Sequence, residues 1–183
     1  MRTIQLALVA LLVLMNPPWV YGGECVFDPK GLPQIKIGDP EQKIREAFTA
    51  DYSVAERSTQ GAQRRIEVLQ LPSRERLYSF SLSNDGRVVF IDIYAACRNR
   101  DGIGLGSRLG DAKKRYGNAK LEPTDTGYFV VFNRMPTVGF MLNNDDLPKK
   151  LRGLLDDSID TKAERAILAA SRARFSQVRI YPE

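Results

Sequence analysis

The chain has 183 residues, 43% apolar and 27% charged, with 27 Lys or Arg against 22 Asp or Glu and no His at all. Without His, Ser-His and Cys-His nucleophilic sites and His-ligated metal centres are excluded. The net charge of +5 is carried by scattered basic residues, which argues against a nucleic-acid groove and favours acidic partners.

Residues 1–22 read as an export signal. Arg2 is a minimal positive region, Ile4 to Met15 form the apolar stretch, and Val20 and Gly22 sit at −3 and −1 of a cut before Gly23. The apolar stretch is too short to span a bilayer and is followed at once by Pro17 and Pro18. Glu24, rather than a small residue, precedes Cys25, so lipidation is not expected. The expectation is a soluble periplasmic or secreted protein, with 161 residues left for one domain or two small repeats. In such a compartment Cys25 and Cys97 are expected to form a disulfide. It would close a loop of about 70 residues, worth roughly 4 kcal/mol in the chain-entropy model. The alternatives, two free thiols or a catalytic Cys, have no His to activate a thiolate.

The first helix is predicted after Ile35-Lys36-Ile37-Gly38. Asp39 is placed as N-cap, Pro40 at N1 and Gln42 at the capping-box position, with Ile44 and Phe48 on the apolar stripe. Strands follow. Ile66 and Val68 alternate with Arg65, Glu67 and Leu69; Tyr78, Phe80 and Leu82 alternate with Ser79 and Ser81. Asn84-Asp85-Gly86 then turns the chain into "VVFIDIY", Val88 to Tyr94.

"GIGLGSRLGDAKKRYG", Gly102 to Gly117, looks at first like a phosphate cradle, because a glycine-rich turn before a helix can gather backbone N–H groups on an anion. A dinucleotide fingerprint would need glycine where Ser107 stands, and a P-loop would need Gly-Lys-Ser/Thr, which is missing. Instead Ile103 to Gly106 aligns with Ile35 to Gly38, 68 residues apart; Ser107 falls on Asp39, Ala112 on Ile44 and Tyr116 on Phe48. The motif is therefore read as structural.

Tyr128 to Phe132 and Val138 to Leu142 are predicted strands around a short loop containing Pro136. Asp146 to Arg174 reads as two helices, with Leu147, Leu151, Leu154 and Leu155 on one stripe. A Thr161-x-x-Glu164 capping box follows, before Ile167 and Ala170. The closing "FSQVRIY", Phe175 to Tyr181, matches Val88 to Tyr94 at a spacing of 87, the excess over 68 being the helical insertion. The expected fold is α+β: tandem repeats at 23–97 and 98–183, each a short helix followed by three or four antiparallel strands, with the insertion at about 146–174 of the second.

Glycine, polar cap, helix, aromatic and then antiparallel strands, given twice, resembles the beta-lactamase-inhibitor-protein type of fold. The same helix-and-sheet unit occurs singly in small outer-membrane-assembly lipoproteins. The resemblance rests on Ile35 to Phe48, Ile103 to Gly117 and the two closing strands, and its architecture would cover about Gly23 to Glu183; the helical insertion departs from it. It implies a module that holds another protein on the sheet face or its loops, with no catalytic centre. Only scaffold positions match, so no binding residue is carried over.

Strand parity turns Ile66, Val68, Phe80, Ile91, Ile93, Val178 and Ile180 toward the helices. It leaves Arg65, Glu67, Ser79, Ser81, Asp92, Tyr94, Arg179 and Tyr181 on the opposite face. Tyr and Arg among small polar groups is a composition enriched at interface hot spots, although an antiparallel sheet also commonly has one simply solvated face. The acids Glu41, Asp92 and Asp111 are scattered without a glycosidase signature, and Asp145-Asp146 and Asp156-Asp157 lack EF-hand spacing. The expected function is an exported protein-binding module of inhibitor or immunity type, acting on another envelope protein with an acidic surface. No catalytic residue, metal, cofactor, nucleic acid or stable membrane insertion is expected. The alternatives are an envelope assembly or scaffolding factor and a carboxylate-dependent hydrolase.

Overall fold

Alternating apolar and polar residues make strand the main regular element among the described residues, and a computed structural model describes residues 25–58, 64–124, 127–152 and 161–182. The expected export signal, Leu154-Leu155 and Asp156-Asp157 lie outside the described residues. In chain order the elements are β1 (Val26–Phe27), α1 (Glu41–Ala47), β2 (Tyr52–Ser58), β3 (Arg64–Gln70), β4 (Glu75–Leu82), β5 (Val88–Ile93) and β6 (Arg98–Asn99). Then come α2 (Leu109–Tyr116), β7 (Ala119–Thr124), β8 (Gly127–Phe132), β9 (Met135–Leu142), α3 (Thr161–Leu168) and β10 (Phe175–Ile180). The class is α+β. An eight-stranded antiparallel sheet runs in the order β2-β3-β4-β5-β10-β9-β8-β7, and β1 and β6 form a small parallel pair. Two four-stranded meanders are thus joined edge to edge through β5 and β10.

The sheet face under the helices is the core. Ile66, Val68, Phe80, Ile91, Ile93, Val178 and Ile180 are all buried there, with Ile44 and Phe48 of the first helical segment and Leu109, Ala112 and Tyr116 of the second. Phe48 packs on Tyr78 and Phe80 at 5.4 and 6.0 Å between centroids. On the other side Tyr116, Phe132, Phe140 and Phe175 continue the row at 5.4, 6.0 and 4.8 Å. Aromatic contacts at these distances contribute about 0.5–1.5 kcal/mol each beyond area burial.

Both helices are entered through the same backbone bonds. Gly38 N–H donates to Val88 O (2.8 Å), Val88 N–H to Asp39 O (2.9 Å) and Glu41 N–H to Gly86 O (2.9 Å). Gly106 N–H donates to Phe175 O (2.8 Å), Phe175 N–H to Ser107 O (3.0 Å) and Leu109 N–H to Ala173 O (2.8 Å). Gly38 and Gly106 hold φ of 87° and 78°, a region that favours glycine. Gly104 is required for space, because a Cβ there would run into the carbonyl oxygen of Cys97. The glycine run belongs to the fold.

Several local expectations are corrected. Asp39 and Ser107 do not cap their helices; Pro40 and Arg108 hold the cap positions without side-chain bonds. Their side chains reach back instead, Asp39 Oδ2 accepting Lys36 N–H (2.7 Å) and Ser107 Oγ accepting Gly104 N–H (3.1 Å), which ties down the preceding turn. Gln42 bonds Glu46 (2.6 Å) rather than closing a capping box. Thr161 is the first residue inside α3 rather than its cap, and Glu164 Oε1 accepts the N–H of Leu121 on β7 (3.2 Å). Pro136 lies inside β9, since Asn133-Arg134 make the turn. Where the first inserted helix is expected, the described residues up to 152 form single 3-10 turns at Asn144–Asp146 and Lys149–Leu151, with Leu147 and Pro148 between them. Leu147 and Leu151 are still buried in the core, so the apolar spacing marks core positions without a continuous helix.

Cys25 and Cys97 are disulfide-bonded, with Cα atoms 4.4 Å apart and a sequence separation of 72. The bond holds the start of β1 against the lead into β6, under the Tyr78 hydroxyl. Thiol labelling of the denatured, unreduced protein is expected to find no free Cys. Reductant is expected to lower the melting temperature, by an amount corresponding to about 2–4 kcal/mol. Two labels per chain, or an unmoved melting temperature, would contradict the tie.

Candidate functional site

The face of the large sheet turned away from α1 and α2 gathers all eight residues expected there. In-register pairing sets Glu67, Ser79, Asp92 and Arg179 side by side on four successive strands. At the centre, where β5 meets β10, Asp92 is 1% exposed. Its Oδ1 accepts Arg179 Nε (2.6 Å) and Gln177 Nε2 (2.7 Å), and its Oδ2 accepts Arg179 Nη2 (3.0 Å). The two-pronged guanidinium and the amide fill the carboxylate's lone pairs, which is what a buried charge requires. Burial opposes charging of Arg179, but the hydrogen bonds and charge of Asp92 outweigh it and the guanidinium pKa is raised.

A second buried acid stands one strand outward. Glu67 is 2% exposed. Arg76 Nη2 lies 2.9 Å from its Oε1, and Arg57 Nε lies 2.6 Å from its Oε2 as a charge contact off the line of a hydrogen bond. Between the two acids Ser79 is 1% exposed, and its Oγ has no hydrogen-bond partner among the described residues; neither has the buried Nε of Arg65. Arg65 pairs in register with Arg57, placing two cations opposite each other on neighbouring strands.

Aromatic rings flank this charged strip. Arg76 lies over Tyr94 (5.3 Å), and Arg179 lies over Phe129 (4.8 Å), both within cation–π range. Tyr181 meets Phe90 edge-on at 5.8 Å and Phe129 at 6.5 Å. Gly139 leaves the room that the Tyr181 ring uses, since a Cβ would press on Tyr181 and Phe129. Burial first, then the charge of Asp92, raises the Tyr94 hydroxyl pKa, against Arg76 and Arg65. Burial pushes Tyr181 up to about 12, against the pull of Arg179.

The expected set therefore divides by depth. Tyr94, Tyr181, Arg65 and Arg179 are half-buried and reach the surface, whereas Glu67, Ser79, Ser81 and Asp92 lie beneath them. Sequence reasoning missed Arg57, Arg76, Phe90, Phe129 and Gln177. Phe90 and Gln177 share the parity of Asp92 and Arg179 on strands already read, so that signal was present. Arg57 lies on β2, which alternation did not mark. Glu41 and Asp111 belong to α1 and α2, away from this face. Among the described residues no group of three or more His, Cys, Asp or Glu is arranged to hold a metal, and no helix is long and apolar enough to cross a membrane.

No family model matches the chain, and no curated protein matches it. Its structure is similar to the crystal structure of the uncharacterized protein yfeY from Escherichia coli, with a TM-score of 0.56 and 13% sequence identity. The match covers 87% of this chain and all of that one, and it extends to the fold alone.

Two outcomes are expected. Arg179→Ala leaves Asp92 charged and buried, and should cost about 3–5 kcal/mol in urea denaturation, while adding Asp92→Ala should recover part of that loss. Tyr78, Tyr116 and Tyr181 have hydroxyls pushed to about 12 by burial, above the ordinary 10. Their contribution to stability is full below about pH 10 and is lost as pH rises toward 12. Phenolate absorbance at 295 nm should lag in the folded protein and jump on unfolding at the same alkaline pH.

Proposed function

We propose that the protein is an exported, soluble protein-binding module built of two tandem helix-plus-sheet repeats. It acts in the periplasm or extracellular space, in the manner of an inhibitor or immunity protein. The open sheet face holds the acidic surface of another envelope protein.

The repeat reading is supported by the helix junctions. The bonded pairs Gly38–Val88 and Gly106–Phe175 keep the spacings of 68 and 87 that relate the two halves in sequence. Under those spacings Asp92 and Arg179 are equivalent residues, and they face each other across β5 and β10. Two like charges there would repel; the opposite charges attract. The disulfide supports an oxidising compartment.

The observation that carries the binding reading is what reaches the surface of the open face. Arg57 and Arg65 are set against each other on neighbouring strands, and half-buried tyrosines stand at both ends of the Asp92–Arg179 pair. A partner's carboxylate would offset the repulsion between the two guanidinium groups, and the rings supply contact area with few torsions to freeze. The hydrolase reading gains nothing from Glu67 and Asp92, whose oxygens are engaged by Arg57, Arg76, Arg179 and Gln177.

A photo-crosslinking residue at position 94 or 181 is expected to trap one envelope protein in vivo, whereas the same residue at Lys43 on α1 should trap none. With that partner purified, Tyr94→Ala and Tyr181→Ala should each weaken binding by about 2 kcal/mol, roughly thirtyfold. Stability should fall by only about 1 kcal/mol. Unchanged affinity in both variants would mean that the face is only solvated.

A further inference from the structure

The two edges of the eight-stranded sheet are not alike. On β7, Asn133 N–H donates to Asn118 O, and the register with β8 pairs Ala119 with Phe132 and so on to Thr124 with Gly127. Hydrogen-bonded pairs alternate along an antiparallel ladder, so Lys120, Glu122 and Thr124 spend their backbone groups on β8, while residues 119, 121 and 123 point outward. Of those three, Leu121 N–H is already taken by the Glu164 carboxylate of α3, and Pro123 has no N–H to offer. This edge is closed.

On β2, Leu71 N–H donates to Asp51 O, and the register with β3 runs unbroken from Tyr52–Gln70 to Ser58–Arg64. The same alternation commits Ser53, Ala55 and Arg57 to β3 and turns the backbone N–H and C=O of Tyr52, Val54, Glu56 and Ser58 outward. The strand has seven residues and no Pro. Charged side chains ordinarily guard such an edge, yet both charges here are neutralised within the chain. Glu56 accepts Arg64 Nε (2.8 Å), and Arg57 sits against Glu67 (2.6 Å).

We propose that β2 is a self-association edge, where a second copy of this chain adds its own β2 antiparallel about a two-fold axis. The register that overlaps all seven residues places the axis at Ala55. It pairs Tyr52 with Ser58 and Val54 with Glu56 of the other copy, each pair carrying outward groups on both sides, and so forms eight backbone hydrogen bonds. In that register Glu56 meets Val54 and Arg57 meets Ser53, so no charge faces a like charge. Ala55 meets itself, and its small side chain fits the narrow pair at the axis. This pairing is independent of what the open sheet face binds.

Sedimentation equilibrium of the purified protein is expected to show a species of twice the chain mass. Glu56→Pro removes an outward N–H together with the carboxylate bonded to Arg64, and Glu56→Ala removes the carboxylate alone; both should melt cooperatively, and the Pro variant should weaken the dimer at least tenfold relative to the Ala variant. Ala55→Cys should form an intermolecular disulfide on mild oxidation, because a non-hydrogen-bonded pair brings Cα atoms to about 4.5 Å. Lys120→Cys, on the closed edge, should not. A protein that stays monomeric up to millimolar concentration overturns the proposal. So does a dimer that survives Glu56→Pro, or an Ala55→Cys protein that dimerises without crosslinking.

Discussion

The pairing of β5 with β10 makes one sheet out of two meanders, and the Asp92–Arg179 contact sits at its midpoint. Every strand of the first meander reaches the second only through this seam. A buried carboxylate at a seam is a liability unless its lone pairs are filled. Here the strand that closes the sheet also brings the groups that fill them, Arg179 and Gln177. The side chains therefore favour one pairing: shifting β10 by one residue would turn Val178 and Ile180 away from the core and leave Asp92 uncompensated. Hydrophobic parity and charge enforce the same register.

The open face spends its arginines as cover. Their stems lie across the sheet, and their heads rest on the buried acids or on aromatic rings, as Arg76 does on Glu67 and Tyr94 and Arg179 does on Asp92 and Phe129. Polar residues that parity alone would put in water, such as Ser79 and Ser81, end up beneath this layer. What reaches the surface is cationic and aromatic.

Much of this was legible in the sequence wherever a side chain's role is set by alternation. Seven core positions on four strands, and the opposite-face set from Arg65 to Tyr181, followed from a period of two. The equivalence of Gly38 with Gly106 followed from spacing. Illegible were the features set by tertiary partners. Asp39 and Ser107 have good capping chemistry, yet the turn before each helix competed for their oxygens and won. Leu147 and Leu151 show helical spacing, but Pro148 between them keeps one helix from running through both. The edge strands β2 and β7 are too polar to announce themselves. The depth of Glu67 and Asp92 depends on arginines from other strands, which no local pattern reveals.

The closure of β7 has a consequence for crowding. A sheet with two free edges behaves as a monomer for polymerisation: each molecule that adds leaves a fresh edge, and growth has no natural end. Pro123 and the Glu164 carboxylate remove one of those ends. Whatever strand attaches at β2 uses up the remaining edge of this chain, and if it comes from another copy, that copy again exposes only a sealed β7. The fold thus carries its own chain terminator, built from one missing hydrogen and one borrowed carboxylate.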